Sequence, residues 1–172
     1  MDTSMTHQAS DKIVNSITQW METFVEVPHP SFGNMPPCPY ARQFRLQNKI
    51  KIIEPVDAVW DCAFRTAAEW NNEFEAIVIA SDKTYISHSL LSDRVRGLNR
   101  RFKHQDLVML EDHPDDKEYI NGVCMNHGSL VLIVIQRLAQ LNRFSKGLQN
   151  TKYFHKWSKE NLSDVVDWRF KD

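Results

Sequence analysis

Cys38 lies inside Met35-Pro36-Pro37-Cys38-Pro39-Tyr40-Ala41-Arg42, between three prolines and a run that carries Arg42 and Arg45. Proline suits the first position of a helix, where a missing N–H costs nothing. Cys38 is therefore expected at the helix start, facing unpaired N–H groups and the positive end of the dipole. Such surroundings lower a thiol's pKa and populate the thiolate, which attacks electrophiles or binds a metal. Arg42, one turn on, acts in the same direction, and an arginine fork there or at Arg45 would hold an anionic substrate group. A cysteine between prolines also suits a small buried residue in a turn. No second Cys stands two or three residues away, so a dithiol redox motif is excluded.

A second group is Glu111-Asp112-His113-Pro114-Asp115-Asp116, expected at the carboxyl end of a strand. Ligands bind at that edge of open α/β sheets. His113 beside Asp115 and Asp116 could act as an acid/base oriented by a carboxylate, or bind a divalent metal. The same residue types also make ordinary turns.

A third is Asn121-Gly122-Val123-Cys124-Met125-Asn126-His127-Gly128. Gly128-Ser129 at a helix start would present N–H groups to an anion, although the glycines match neither a P-loop nor a dinucleotide fingerprint. Asn121 is a candidate for substrate binding. Cys38, His113 and His127 are the candidate metal ligands. They would have to be assembled from distant segments, because no short-range Cys/His pair exists. Arg94, Arg96, Arg100, Arg101, Lys103 and His104 form a basic run over 94–104 that could hold RNA. No aromatic stacking set interleaves it, and the solvent side of a helix is often charged.

These residues must be positioned by one domain of ordinary composition. The chain has 172 residues, 42% hydrophobic and 25% charged, with a net charge of −1. That balance excludes a disordered chain and gives no global attraction to nucleic acid or membrane. The longest apolar run, 130–135, is too short to span a bilayer. The polar N-terminus lacks the apolar core of a secretory signal. Three scattered cysteines imply no disulfide framework, so a reducing cytoplasm is the default.

Residues 1–9 are polar and expected to fray. From Asp11 onward, Ile13, Val14, Ile17, Trp20, Met21, Phe24 and Val25 recur at helical spacing, with Ser10 or Asp11 as cap. A Pro-rich loop over 27–37 follows, long enough to suggest a functional or docking segment. Then come a short helix over 39–47, a strand over 49–54, a helix over 56–72 and a strand over 74–80. A helix over 86–103 and a strand over 106–111 complete the series. Cys62 lies off the apolar stripe of the 56–72 helix and is expected to be inert. The segment from Ser129 is ambiguous. Residues 130–135 alone suit a buried strand, but the apolar spacing of Val131, Val134, Ile135, Leu138 and Leu141 predicts one long helix, capped by Ser129 and stopped by Gly147.

Trp20-Met21-Glu22 with Phe24-Val25, Cys38-Pro39-Tyr40-Ala41 and His113-Pro114 resemble, in order and rough spacing, an uncharacterised bacterial family. Its members carry a Trp-x-Glu helix, a Cys-Pro-Phe-Ala motif, a βαβ unit and a Phe-His-Pro segment near an acidic residue. The resemblance covers most of the chain. Here the loop before Cys38 is longer, Glu111-Asp112 replaces the apolar residue before His-Pro, and the family's Asn-Arg-Ser-Pro-Tyr-Pro segment has no clean counterpart. Asn121 or Asn126 would stand in for its Asn. The resemblance implies Cys38, His113 and Asp115 or Asp116 as a shared site, and implies no activity.

The expected fold is α/β, with α+β as the alternative. It is a three- or four-stranded sheet with βαβαβ alternation, packed by about five helices. Residues 10–150 form one domain, onto which 151–172 pack through their aromatics. The expected function is that of a small enzyme acting on an anionic substrate. Cys38 serves as nucleophile or metal ligand, and His113, Asp115 and Asp116 complete the pocket. The alternatives are a non-enzymatic module docking through the 27–37 loop, and RNA binding through the 94–104 helix.

Overall fold

Ser10 starts the first helix as expected: its Oγ accepts the Ile13 N–H at 3.5 Å, and its own N–H donates to Glu54. In this computed structural model, which describes residues 8–171, α1 spans Asp11–Trp20 and continues into a π-helical turn, Met21–Val25. Residues 1–7 lie outside the described residues. Gln8 and Ala9 depart from the expected frayed end: Gln8 bridges to Ile53, and Ala9 is buried.

The helices and strands that follow are α2 (Ala41–Leu46), β1 (Ile50–Ile53), α3 (Val59–Ala68), β2 (Ala76–Ser81), α4 (His88–Phe102) and β3 (Leu107–Asp112). After them come β4 (Tyr119–Ile120), β5 (Val123–Cys124), β6 (Val131–Arg137), α5 (Leu138–Leu148) and α6 (Lys159–Val165). The fold is α/β, with a four-stranded mixed sheet in the order β1-β2-β6-β3. β1 and β2 are parallel, and β6 runs antiparallel to both β2 and β3. β1, β2 and β3 therefore all point the same way.

β6 corrects the long helix expected from residue 129. The strand is central and buried on both faces, so it reads as a continuous apolar run instead of an alternating one. Val131, Ile133 and Ile135 join the core under α3 and α4, while Leu130 and Leu132 join the core under α1. Helix begins only at Leu138. Gly128-Ser129 therefore precedes a strand, and the anion site expected at a helix start does not form there. Cys62, expected off the apolar stripe, is instead buried in the α3–α4 core; burial raises its thiol pKa, in keeping with the inert thiol expected.

A third core lies outside the sheet. Phe32, fully buried, packs with Ile120, Leu148 and Tyr153, and Trp157 and Phe154 close over them. Tyr153 donates its hydroxyl proton to the Pro37 carbonyl. Gly33 has φ +64, and a side chain there would meet the Lys152 backbone at 2.6 Å. Only glycine permits both the left-handed turn and this approach. The C-terminal segment thus packs on the inner side of the 27–37 loop, at Phe32 and Pro37, while Val27, Pro28, Pro30 and Asn34 stay exposed.

Candidate functional site

Cys38 and His113 belong to separate arrangements. α2 begins at Ala41 with Tyr40 at its cap, and Cys38 precedes it, its carbonyl accepting the Ala41 N–H. The residue keeps exposed surface, but the protein packed around its thiol raises the pKa, and the Glu26 carboxylate raises it further. The Tyr40 and Ala41 N–H groups pull the other way without prevailing. The expected thiolate is therefore not favoured.

Arg45 is engaged as well. Its Nε and Nη2 grip Glu26 at 2.7 and 2.9 Å, and Nη1 reaches Glu22 at 2.8 Å. This fork fixes α2 to the end of the first helix instead of facing a substrate. Arg42 is exposed beside a shallow hollow lined by Pro39, Gln43, Leu46 and Gln47.

His113 is buried with both ring nitrogens occupied. Nε2 meets the Ile86 carbonyl at 2.5 Å, and Nδ1 accepts the Asp115 N–H at 3.0 Å. These partners require the Nε2–H tautomer and leave no nitrogen to exchange a proton with a substrate. His113 pins the turn after β3 to the loop before α4. Asp115 is exposed, and Asp116 closes the turn with its N–H on the His113 carbonyl. Asn121 begins the Asn121-Gly122 turn of the β4–β5 hairpin, where both residues have positive φ, and its amide reaches Ser31 Oγ at 3.0 Å. That is the two-residue turn that Asn-Gly favours.

Asn126 organises this end of the molecule. Its amide nitrogen donates to Asp112 Oδ1 (2.7 Å) and to the His113 and Asp116 carbonyls, and its oxygen accepts the Glu118 N–H at 2.7 Å. Asp112 Oδ2 accepts the His127 backbone N–H at 2.8 Å. The His127 ring bonds Ser16 Oγ at 3.1 Å and Ser129 Oγ at 3.3 Å, and lies edge-on to Trp20. Among the described residues no three His, Cys, Asp or Glu side chains gather to hold a metal ion. The expected set Cys38, His113 and His127 does not gather: Cys38 lies in a separate arrangement before α2, and the His113 and His127 rings bond other groups.

Burial lowers the His127 pKa, against the opposing pull of Ser16 and Asp112. The unfolded state therefore takes up this proton first, near pH 6.5. The stability that neutral His127 contributes is complete above that pH and is lost as pH falls toward the folded pKa. His127→Gln is expected to cost about 1 kcal/mol at pH 7.5 and to make stability fall less steeply between pH 7 and 5. Urea titrations at several pH values measure both.

Among the described residues, an open cleft of about 1340 Å³ runs along β3, the outermost strand on that side of the sheet. On the α4 side it is lined by Ser92, Arg96, Asn99, Arg100 and Lys103, and on the α6 side by Ser163, Asp164, Val165, Trp168 and Arg169. Trp20, Leu110, Leu132 and Val134 supply apolar surface between them. Lys103 Nζ donates to the Lys171 carbonyl and closes one end.

Asn99 lies against the strand edge. Its Nδ2 donates to the Met109 carbonyl at 3.0 Å, and its Oδ1 accepts the Met109 N–H at 2.7 Å. One amide side chain thus makes both bonds that a residue of a neighbouring strand would make. Since Met109 turns its backbone outward, Leu107 and Glu111 do so too by alternation.

The cleft is polar at its ends with opposite signs. Protein packed around the Glu118 carboxyl, then Asp112, Asp116 and Asp164, raises its pKa, although the residue keeps exposed surface. The protein packed around Glu111 and Asp112 raises both, although Glu111 keeps exposed surface. Arg100, Lys103, Arg169 and Lys171 line the other end. The basic run expected to act together is divided: Arg94 lies over Trp60 and Arg101 over Phe64, while Arg100 and Lys103 line the cleft.

Sequence reasoning missed Asn99, Trp168 and Arg169, which no local pattern marks. Among the described residues no helix is long and apolar enough to cross a membrane. Comparison with family models, with curated proteins and with solved structures finds no match for this chain.

Proposed function

We propose that this chain is a binding domain that receives an extended peptide segment along the outer edge of β3. The observation that carries the reading is the Asn99 side chain, which makes strand-type hydrogen bonds to Met109 where a neighbouring strand would lie, so a peptide on this edge takes over the bonds that the Asn99 amide holds. Peptides added to sheet edges gain affinity from such main-chain bonds and specificity from the flanking pockets. Size agrees with this. The cleft, about 1340 Å³, exceeds the roughly 300–1,000 Å³ of small-molecule sites. A six-residue strand is about 20 Å long, the reach of an extended hexapeptide. The Asn99 amide also protects the edge against indiscriminate pairing, as native sheets require. Three unpaired thiols suit work in the reducing cytoplasm.

The test begins with random dodecamer peptides displayed and selected on the full chain. Selected peptides are then titrated by fluorescence anisotropy against wild type and Ser163→Trp. Ser163 is exposed and lines the cleft, so the indole fills the site without entering the core. A loss of about tenfold or more, about 1.4 kcal/mol, is expected. Peptides that bind both proteins equally, or no selected peptide at all, would overturn the reading.

A further inference from the structure

The cleft has a direction. β3 begins beside Arg100 and Lys103 at the end of α4 and finishes beside Glu111 and the Asp116–Glu118 turn. The α6 wall runs the opposite way, from Asp164 near Glu118 to Arg169 and Lys171. β3 and the α6 wall therefore place carboxylates at the finish of β3 and cations at its start, while Arg96 of α4, near Glu111, is paired with Asp93.

Arg169 is the unusual member. The residue is only 5% exposed, yet no carboxylate among the described residues pairs with it. Its Nε donates to the Val165 carbonyl at 3.2 Å, Nη1 to Asn142 Oδ1 at 3.1 Å and Nη2 to Ser145 Oγ at 2.9 Å. All three acceptors are neutral, and a guanidinium has five donors, so two N–H groups are left over. A buried cation without a counter-charge is costly, and this one's pKa is lowered to about 10 by burial. An anion reaching this end of the cleft would supply the missing charge and suit the planar fork.

Resting on the peptide-binding reading above, we infer that the peptide lies antiparallel to β3, with its free C-terminal carboxylate held at the Arg169 and Lys103 end. Its N-terminal amine or a basic side chain then meets Glu111, Asp116 and Glu118, about six residues or roughly 20 Å away. The reverse polarity would set carboxylate against carboxylate and amine against guanidinium. The antiparallel arrangement also lets one peptide residue make both of the Met109 bonds that the Asn99 amide otherwise makes.

One selected peptide made as the free acid, as the C-terminal amide and as the N-acetylated form tests this polarity. Wild type is expected to bind the acid about tenfold or more tightly than the amide, the scale of hydrogen bonds to a charged group. The difference should shrink in Lys103→Gln and again in Arg169→Gln. Lys103 is exposed, so its variant reports even where Arg169→Gln fails to fold. A nitroxide on the peptide N-terminus should broaden amide signals near Glu118 and leave those near Lys103 sharp. Equal binding of acid and amide, an unchanged difference in Lys103→Gln, or broadening near Lys103 would overturn the inference and leave the peptide-binding reading standing. Competition by inorganic phosphate without an acid–amide difference would assign the cations to phosphate instead. Failure of every form to bind would remove the reading itself, and the inference with it.

Discussion

Phe32→Ala is expected to lower unfolding free energy by about 3–5 kcal/mol, the usual cost of truncating a fully enclosed phenylalanine. Phe32 is 0% exposed, and its ring meets those of Tyr153 and Trp157 at 5.5 and 6.1 Å. Phe32 is the largest fully buried side chain of the core it shares with Ile120, Leu148 and Tyr153, where the Pro-rich loop and the C-terminal segment meet. A loss of this size is a large part of the roughly 5–15 kcal/mol that stabilises an ordinary domain. The C-terminal segment should detach before the sheet does. Limited proteolysis should then cut near Thr151–Trp157 in the variant while far-UV circular dichroism of the sheet persists. A destabilisation under 1 kcal/mol would mean that Phe32 does not anchor this segment.

Asn126→Asp is expected to cost about 3–4 kcal/mol at pH 7.5 and clearly less at pH 4.5. The substitution exchanges a donor 2.7 Å from Asp112 Oδ1 for an acceptor that carries charge. It also strips the His113 and Asp116 carbonyls of their shared partner. Breaking a partly buried polar network on one side costs more than deleting a neutral pair. Two carboxyls so close share a proton readily, so acid relieves the added repulsion. Asn126→Ala, which removes the bonds without adding charge, should cost about 2 kcal/mol with little dependence on pH. Denaturant midpoints at the two pH values separate the contributions. Equal losses for Asp and Ala at pH 7.5 would show that Asp112 is not charged beside Asn126.

Local patterns made most of the fold legible. The apolar spacing from Ile13 to Val25 and the Ser10 cap locate the first helix to within a residue, because capping and amphipathicity act over a single turn. The buried strands around Val78 and Val108 were equally plain. β6 was not, since a strand covered on both faces loses the alternation that separates strand from helix. The hairpin was available in principle from Asn121-Gly122 between Tyr119-Ile120 and Val123-Cys124, the best short-range signal for such a turn.

Site residues were harder to read for a different reason. His113, Asp115 and Asp116 have the chemistry of catalysis and equally of a turn, and only the Ile86 carbonyl and the Asp115 N–H decide between them. Arg45 could face a substrate or a carboxylate, and Glu26 settles it. The cleft joins residues from Trp20 to Lys171, and no window of sequence contains that juxtaposition.

The position of β6 has a consequence for how the chain reaches its native state. This strand is the last of the sheet to be synthesised, yet it stands between β2 and β3 and pairs with both. A nascent chain ending before residue 131 holds two apolar strands that have no common partner and two half-built cores. The sheet closes only when β6 inserts between strands already made, a non-local step that slows folding. Until then the open flanks of β2 and β3 are surfaces on which aggregation can start, and on which a chaperone would act.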